Sequence, residues 1–287
     1  MKYTKKGFAK LKKKKMPAKT ILIIAAVAVI GFLISMGNYL VALCATVIIA
    51  AGAAFWYWPE LQCALGQSEY AKGNNTKALA LLKKAHESSR SKPSVSAAYA
   101  YILLRVGQAE EASKVLNYVL LNSKLKEQDR AQLRQILSLV RYRQGDFEEA
   151  TRLMELVFEV YKNTGVYGAL GYYKILSNSP DMEKFNEEAY DYNSDDKVII
   201  DNMVILALKK GDLQKAKELS DKSIGAGNRG VEIFYHAGQT YEALGENDKA
   251  ADFFRKAKSC QRSFMTTVTE AEVENAIERL GGNGEDN

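Results

Sequence analysis

Residues 231–260 read VEIFYHAGQTYEALGENDKAADFFRKAKSC, and this stretch decides the fold. Gly245 lies at its centre, and Ala250 follows five residues later, with helix-forming residues on both sides. The same spacing of a glycine and an alanine recurs four times upstream, at Gly73 and Ala78, Gly107 and Ala112, Gly145 and Ala150, and Gly211 and Ala216. The glycines are 34, 38, 66 and 34 residues apart, and 66 is close to two units with a blurred copy between them. A period of this length predicts an array of stacked helical hairpins.

These residues resemble the tetratricopeptide repeat, and the resemblance covers roughly residues 60–262. It implies an all-α chain whose body is an α-solenoid of about six tetratricopeptide-like hairpins. The predicted units lie at about residues 60–92, 93–126, 127–162, 163–194, 195–228 and 229–262. A capping helix is predicted over residues 266–281, because a solenoid needs a terminal element with one polar face. Residues 282–287 are predicted to be a disordered tail.

The fourth unit departs from the pattern of the family, which places small residues where the two helices of a hairpin approach each other. Gly238 and Ala250 hold these places in the last unit, and Gly171 begins the fourth unit well. Residues 178–180 (NSP) then replace the glycine turn. Three further residues stand where small or apolar residues belong: Glu183, Glu187 and Tyr190. We expect either a splayed hairpin there or a register shifted by one or two residues.

The charges of the chain are unevenly distributed. Residues 1–58 contain nine lysines and no acidic residue, so the remaining 31 basic residues share the rest of the chain with all 34 acidic residues. The body is therefore slightly acidic, although the whole chain has a net charge of +6. An acidic body is a poor surface for nucleic acid, and no nucleic-acid partner is expected.

Two apolar stretches follow the basic start. Residues 20–36 and residues 39–58 carry no charge and are separated by Gly37 and Asn38. At about 1.5 Å per residue they span roughly 26 and 30 Å, each near the thickness of the hydrocarbon core of a bilayer. They predict an N-terminal hairpin of two transmembrane helices, the second of which is expected to end at Pro59.

The lysines of residues 1–19 predict the orientation, because basic segments next to a span stay in the cytoplasm. This basic tail is thus expected to be cytoplasmic, and two spans would return the repeats to the same side of the cell membrane. A single span, or a cleaved leader, would instead place the repeats outside, where they could assist envelope assembly or secretion.

The family resemblance also implies a working surface, the groove lined by the first helix of each hairpin. Tyrosine and arginine are favoured in protein contacts, although tyrosine also packs between neighbouring helices in such repeats. The residues predicted to line this partner-binding groove are Gln67, Tyr70, Tyr101, Arg105, Gln135, Tyr142, Arg143, Tyr172, Asp201, Tyr235 and Gln239.

Some members of the family hold the C-terminal carboxylate of a partner with a lysine, asparagine and arginine clamp. The corresponding places in this chain hold other residues: Cys63, Gln67, Ala97, Tyr101 and Gln135. The ligand predicted for this chain is therefore an internal or extended protein segment.

Nothing in the sequence predicts catalysis or a cofactor. His86 and His236 have no cysteine or carboxylate at metal-ligand spacing, and both are expected to be exposed on helices. Phosphate-binding, zinc-protease and nucleophile-elbow motifs do not occur. The chain is therefore predicted to be no enzyme, with no metal, cofactor or small-molecule substrate. The function predicted is that of a scaffold or adaptor, which binds a protein or peptide partner at the cytoplasmic face of the membrane and contacts the lipid bilayer.

Overall fold

The structure is a computed structural model that describes residues 18–122 and 124–281. The predicted disordered tail and most of the predicted basic tail lie outside the described residues. Fifteen helices and no strand occur in the described part. The chain divides into two compact units, Met1–Leu61 and Gln62–Asn287.

The first unit holds two helices, α1 (Ala18–Ser35) and α2 (Tyr39–Trp56). Gly37 turns the chain between them with φ +75°, a left-handed conformation that suits glycine. The helices contact each other. Their less exposed side chains follow one narrow seam, made of Ala26, Ile30 and Leu33 on α1 and Ala42 and Ala45 on α2.

The rest of this unit is an apolar surface. Leu40 is 74% exposed and Ile48 is 70% exposed, and most of the other large apolar side chains described here are similarly open. Among the described residues one helix, Tyr39–Trp56, is long and apolar enough to cross a membrane, whereas Ile24–Ser35 is a shorter apolar helix. The expectation that Pro59 ends the second helix is wrong. The helix ends at Trp56, and Pro59 lies in the first turn of the next helix, where its missing N–H group costs nothing.

The helices that follow form six consecutive pairs and a closing helix. They are α3 (Trp58–Ala71) with α4 (Asn75–Glu87), α5 (Pro93–Arg105) with α6 (Ala109–Asn122), α7 (Glu127–Arg143) with α8 (Phe147–Phe158), α9 (Thr164–Leu176) with α10 (Met182–Tyr192), α11 (Lys197–Lys210) with α12 (Leu213–Gly225), α13 (Val231–Ala243) with α14 (Asn247–Ser259), and finally α15 (Glu270–Gly281).

The repeated glycines turn the chain between the two helices of a pair. All five have φ between +74° and +85°, a region that residues with a side chain rarely adopt. Glycine is therefore required by the backbone at the five places: Gly73, Gly107, Gly145, Gly211 and Gly245.

Small residues allow the two helices of a pair to approach. A Cβ atom added at Gly66 would lie 2.7 Å from Cγ of Leu82, and one added at Gly238 would lie 2.5 Å from the ring of Phe254. Both distances are far below van der Waals contact, so a larger residue at either place would force the helices apart.

The fourth pair is closely packed rather than splayed, and its second helix begins two residues later than in the last pair. Helix α14 begins at Asn247, nine residues after Gly238, whereas α10 begins at Met182, eleven residues after Gly171. The residue packed on Gly171 is Asn186. The fully buried Asn186 donates its Nδ2 hydrogen to the carbonyl of Gly171 at 3.1 Å. The longer turn absorbs the difference, with Asn178 in the left-handed region at φ +48°.

The first helices of successive pairs form one continuous surface. Helix α5 contacts α7, and α11 contacts both α9 and α13. Tyr142 of α7 stacks on Tyr173 of α9, with 5.4 Å between the ring centroids, so α7 also contacts α9. The surface formed by α5, α7, α9, α11 and α13 is called the inner face below. At the end of the array α15 packs on α14.

Candidate peptide-binding surface on the inner face

Residues 261–269, which connect α14 to α15, lie on the inner face and are called the strap. The strap contacts α5 and α7 through Phe264 and α13 through Thr267. Helix α5 belongs to the second pair and α13 to the sixth. One short segment can contact both only because the inner face is concave, and the strap occupies the concave side.

The strap carries a tight turn that is stabilised by its own hydrogen bonds. The backbone N–H of Thr266 donates to the carbonyl of Ser263 at 3.1 Å, which closes a four-residue turn. The hydroxyl of Thr266 accepts from the N–H of Ser263, and the hydroxyl of Ser263 accepts from the N–H of Met265. Phe264 and Met265 are therefore presented at the tip of the turn.

Phe264 is held between two arginines. The guanidinium carbon of Arg105 lies 5.0 Å from the ring centroid of Phe264, and that of Arg143 lies 4.7 Å from it. Tyr101 contacts the same ring edge-on, with 6.4 Å between centroids. Both guanidinium distances are in the range where a cation is attracted to the face of an aromatic ring. Arg105, Arg143 and Tyr101, which surround this ring, are called the aromatic clamp below.

The arginine of α5 is positioned by two tyrosines. Arg105 donates to the hydroxyl of Tyr101 at 3.3 Å, and its guanidinium carbon lies 5.7 Å from the ring centroid of Tyr70. The hydrogen bond to Tyr101 raises the pKa of the Arg105 guanidinium, which stays fully charged. The clamp therefore presents a fixed positive charge to an aromatic ring.

The other end of the strap is held through its backbone. The N–H of Thr267 donates to Oε1 of Glu232 at 2.8 Å, and Thr267 lines the same cavity as Tyr172. The guanidinium of Arg262 donates to the carbonyl of Val268 at 2.6 Å, and the side chain of Val268 is buried. A contact to a backbone N–H depends little on the identity of the side chain at that position.

A cavity of about 380 Å³ lies between the strap and α7, α9, α11 and α13. Its wall is mostly apolar, and α9 contributes two glycines, which have no side chain to fill the space. Residues that line it include Leu139, Tyr142, Gly165, Gly168, Tyr172, Val198, Asp201, Glu232, Ile233 and Met265.

Two of the predicted groove tyrosines pack within the array. Tyr142 and Tyr172 are half-buried and meet edge-on with 6.1 Å between ring centroids. Burial raises the pKa of both hydroxyls, and that of Tyr172 is strongly raised. Both also line the cavity. They act as packing residues whose polar tips reach the binding surface.

The structure brings some predicted groove residues to the strap and leaves others apart. Tyr101, Arg105 and Arg143 contact the strap, Tyr172 lines the cavity beside it, and Tyr70 supports Arg105. The remaining members are placed differently: Gln67 and Gln135 are exposed, Tyr235 packs against a core cluster of α13, α14 and α15, Gln239 is half-buried, and Asp201 pairs with a histidine.

The prediction that both histidines are exposed is wrong. His236 is buried, and its Nδ1 lies 2.8 Å from Oδ1 of Asp201 on the neighbouring first helix. His86 is half-buried, with Nδ1 2.9 Å from the hydroxyl of Ser96. Within the described residues, no group of three or more His, Cys, Asp or Glu side chains is placed to hold a metal ion.

Sequence reasoning missed the strap and its anchor Glu232. The sequence carries only a weak signal for the strap. Phe264 and Met265 form an apolar pair in a polar connection, where no periodicity gives them a helix face or a partner. The contact of Phe264 with Arg105 of α5 joins residues about 160 positions apart in the chain. Local sequence patterns do not predict contacts of such long range.

Comparisons with known proteins agree with this architecture. Tetratricopeptide repeat models match residues 69–125 and 231–263. A comparison with curated protein sequences found no match.

Solved structures with similar folds include three bacterial-type repeat proteins. A tetratricopeptide repeat protein from Parabacteroides merdae has a TM-score of 0.63 at 14% identity, over 90% of this chain and 98% of its own. PilF of Pseudomonas aeruginosa has a TM-score of 0.57 at 17% identity, over 78% of this chain and 97% of its own. PilW, described as a type IV pilus biogenesis factor, has a TM-score of 0.60 at 10% identity, over 76% of this chain and 98% of its own. At these identities the likeness shows the fold alone.

Proposed function

We propose that this tetratricopeptide repeat protein is a membrane-anchored adaptor, which binds a segment of a partner protein on its inner face at the cytoplasmic side of the membrane. The observation that carries the proposal is the strap. The inner face already holds a short peptide turn, by an aromatic clamp at one end and by a backbone hydrogen bond at the other. Such a combination of one specific side-chain contact with one general backbone contact is typical of peptide recognition.

The membrane part of the proposal depends on the first unit. Large apolar side chains exposed over both α1 and α2 would be unfavourable in water but are solvated by lipid. The seam between α1 and α2 consists partly of alanines, and small residues are typical of helix contacts in membranes. We therefore favour two spans over a single span or a leader, and the basic start then keeps both the N-terminus and the repeats in the cytoplasm.

Anchoring changes how the inner face works. A partner that binds there is confined to the membrane surface, which raises its effective concentration toward other proteins at the same membrane. The repeat array then needs no enzymatic activity of its own. Its contribution is to bring a partner to the membrane.

The test is capture of partners by the full chain after cross-linking in cells and extraction with detergent. The variant Arg105→Ala/Arg143→Ala removes the clamp charges without removing a buried core residue. A matched control, Arg152→Ala/Arg255→Ala, removes two exposed arginines from the second helices α8 and α14. Proteins that bind the inner face should be depleted at least about tenfold by the clamp variant and retained by the control, since such anchor residues typically contribute 2 kcal/mol or more. Equal capture by both variants would contradict the proposal.

A further inference from the structure

We infer that the partner segment presents an aromatic side chain at the tip of a tight turn, and that the strap occupies the place of this segment until the partner displaces it. The inference rests on the proposed function, because it names the chemistry of the ligand for the same surface. Among the described residues, the strap is the one segment that lies against the inner face.

The clamp is specific for an aromatic ring. Arg105 and Arg143 come from different repeat pairs, and among the described residues neither forms an ion pair with a carboxylate. The group that both contact is the ring of Phe264, at 5.0 and 4.7 Å. An aliphatic side chain would fill part of the space but lacks the negative ring face that attracts the two cations.

The turn supplies the geometry. Its three hydrogen bonds join Ser263, Met265 and Thr266 to one another and use no group of the inner face. The shape of the turn is therefore a property of the segment itself, and another segment with the same turn can present its ring in the same way. The side chain of Met265, which follows the ring, is 58% exposed, so the position after the aromatic residue is tolerant.

The strap can leave without unfolding the array. Both of its ends are attached to helices that are fixed elsewhere: Lys258 of α14 pairs with Glu274 of α15 at 2.9 Å, and Arg279 of α15 forms two hydrogen bonds with Glu242 of α13. The turn of the strap, residues 263–267, is held to the inner face mainly through Phe264 and Thr267, whereas Val268 packs in the core formed by α13, α14 and α15. Release of the turn alone therefore removes few contacts and leaves Val268 and the helix packing in place.

The cavity beside the strap gives room for a larger occupant. Its volume of about 380 Å³ lies on the side of Thr267, between the strap and α9, α11 and α13. A partner segment that places its ring in the clamp can extend into this space with additional apolar side chains. Such contacts are absent in the strap and would let a partner compete with a segment that is tethered at both ends.

The test measures binding of a labelled synthetic peptide, QRSFMTTVT, which has the sequence of residues 261–269, to the full chain in detergent micelles. In the unmodified chain the tethered strap competes at high effective concentration, so the peptide should bind weakly. The variant Phe264→Ala vacates the clamp, and the peptide should then bind at least about tenfold more tightly. The matched control Gln261→Ala changes the same strap at an exposed position outside the cavity lining and should bind the peptide as weakly as the unmodified chain.

Two further measurements make the result specific. The peptide with its own Phe264→Ala substitution should not bind to the vacated clamp, and the combined chain variant Phe264→Ala/Arg105→Ala/Arg143→Ala should lose the peptide. If Phe264→Ala fails to fold, as judged by circular dichroism, Phe264→Leu serves instead. It keeps an apolar side chain in the strap but removes the ring face that attracts the two arginines, and it should also increase peptide binding.

The inference is overturned by equal peptide affinity of the unmodified chain and a folded strap variant, by binding that ignores the aromatic ring, or by no binding to either strap variant. These results are separate from the test of the adaptor function. If the clamp arginines are needed to capture partners while the peptide gives any of these three results, the adaptor stands and the displaced strap is rejected. If the clamp arginines are not needed for capture, the adaptor itself is rejected.

Discussion

Asp201 on α11 and His236 on α13 form a buried pair, with 2.8 Å between Oδ1 and Nδ1, that links the fifth repeat pair to the sixth. Burial lowers the pKa of His236, but the charge of Asp201 and its hydrogen bond outweigh this effect, with smaller contributions from Glu232 and Glu272. The net result is a raised pKa. The pair therefore joins two elements of the inner face by an interaction that depends on pH.

The sign of the pH dependence follows from the raised pKa. The folded state binds a proton more tightly than the unfolded state, so the stability that the pair contributes is complete below about pH 6.5, the ordinary histidine value. It is lost as the pH rises through the higher folded-state pKa. We predict that His236→Gln lowers the midpoint of thermal unfolding more at pH 6 than at pH 8.

His86 provides the opposite control. Burial lowers its pKa, and its near neighbour is the hydroxyl of Ser96 rather than a carboxylate. The stability gained by holding this histidine neutral is present above about pH 6.5 and is lost as the pH falls. His86→Gln should therefore be more destabilising at pH 8 than at pH 6, and the same direction for both variants would refute the assignment.

Gly171 is predicted to be intolerant of alanine. An added Cβ atom would lie 2.2 Å from Oδ1 of Asn186 and 2.9 Å from Nδ2 of Asn202, and both asparagines are buried. Overpacking of this kind typically costs about 1–3 kcal/mol. Gly171→Ala should lower the free energy of unfolding by this amount in urea denaturation.

Two matched variants check this explanation. Gly165→Ala, at the start of the same helix, meets its nearest atom at an ordinary 3.5 Å and should be neutral or slightly stabilising. Asn186→Ala removes the side chain that an added Cβ atom at Gly171 would meet. It should therefore relieve part of the cost of Gly171→Ala, and strictly additive effects would count against the proposed clash.

Lys174 is a buried cation whose two partners are half-exposed. Its Nζ lies 2.5 Å from Glu155 and 2.9 Å from Asp181, and the lysine side chain is 4% exposed. Burial lowers the pKa of Lys174, but the hydrogen bonds to Glu155 and Asp181 outweigh this and raise it. The lysine therefore stays charged in the folded state only because the carboxylates are present.

Removal of the carboxylates and removal of the lysine should therefore have unequal effects on stability. Glu155→Ala/Asp181→Ala leaves a buried positive charge without compensation and should cost about 3–5 kcal/mol. Lys174→Met replaces the cation by an apolar side chain of similar length and leaves two carboxylates that water can reach, so it should cost less than about 1 kcal/mol. Thermal unfolding of both variants tests this prediction, and a larger loss of stability for Lys174→Met would contradict it.

The topology proposal predicts protection of the repeats from reagents outside the cell. Lys114→Cys places a thiol on an exposed face of α6, whereas the natural Cys260 is half-buried and its thiol pKa is raised by burial, which slows its reaction. An impermeant maleimide should label Lys114→Cys only after the cells are permeabilised. Lys2→Cys is the matched control, because the basic start is proposed to stay cytoplasmic with one span or two. Labelling of Lys114→Cys in intact cells that leave Lys2→Cys protected would contradict two spans and favour a single span or a cleaved leader.

Much of the fold follows from local patterns. The five turn glycines predict the hairpin turns because each needs a left-handed backbone that other residues avoid. Gly66 and Gly238 predict close helix contacts for a similarly local reason, since only a small residue fits against the facing helix. The fourth pair was harder to predict, because its turn is longer and a buried asparagine with its own hydrogen bond packs on Gly171.

The candidate site was predicted only in part. Tyr101, Arg105 and Arg143 were recognised as members of the first-helix face, and they do lie together on it. Gln67 and Gln135 were recognised as members of the same face, but both are exposed and do not reach the strap. Position in a repeat gives the face of a side chain, whereas its contacts depend on how strongly the array curves.

The sequence by itself determined the all-helical hairpins, their turns and the apolar start of the chain, because glycine backbone preferences and hydrophobic periodicity act over a few neighbouring residues. Only the tertiary structure decided that Phe264 returns to Arg105 and Arg143, that Asp201 meets His236, and that Asn186 packs on Gly171. The physical reason is that these contacts join residues on separate helices, and their distances are fixed by the stacking of whole repeats.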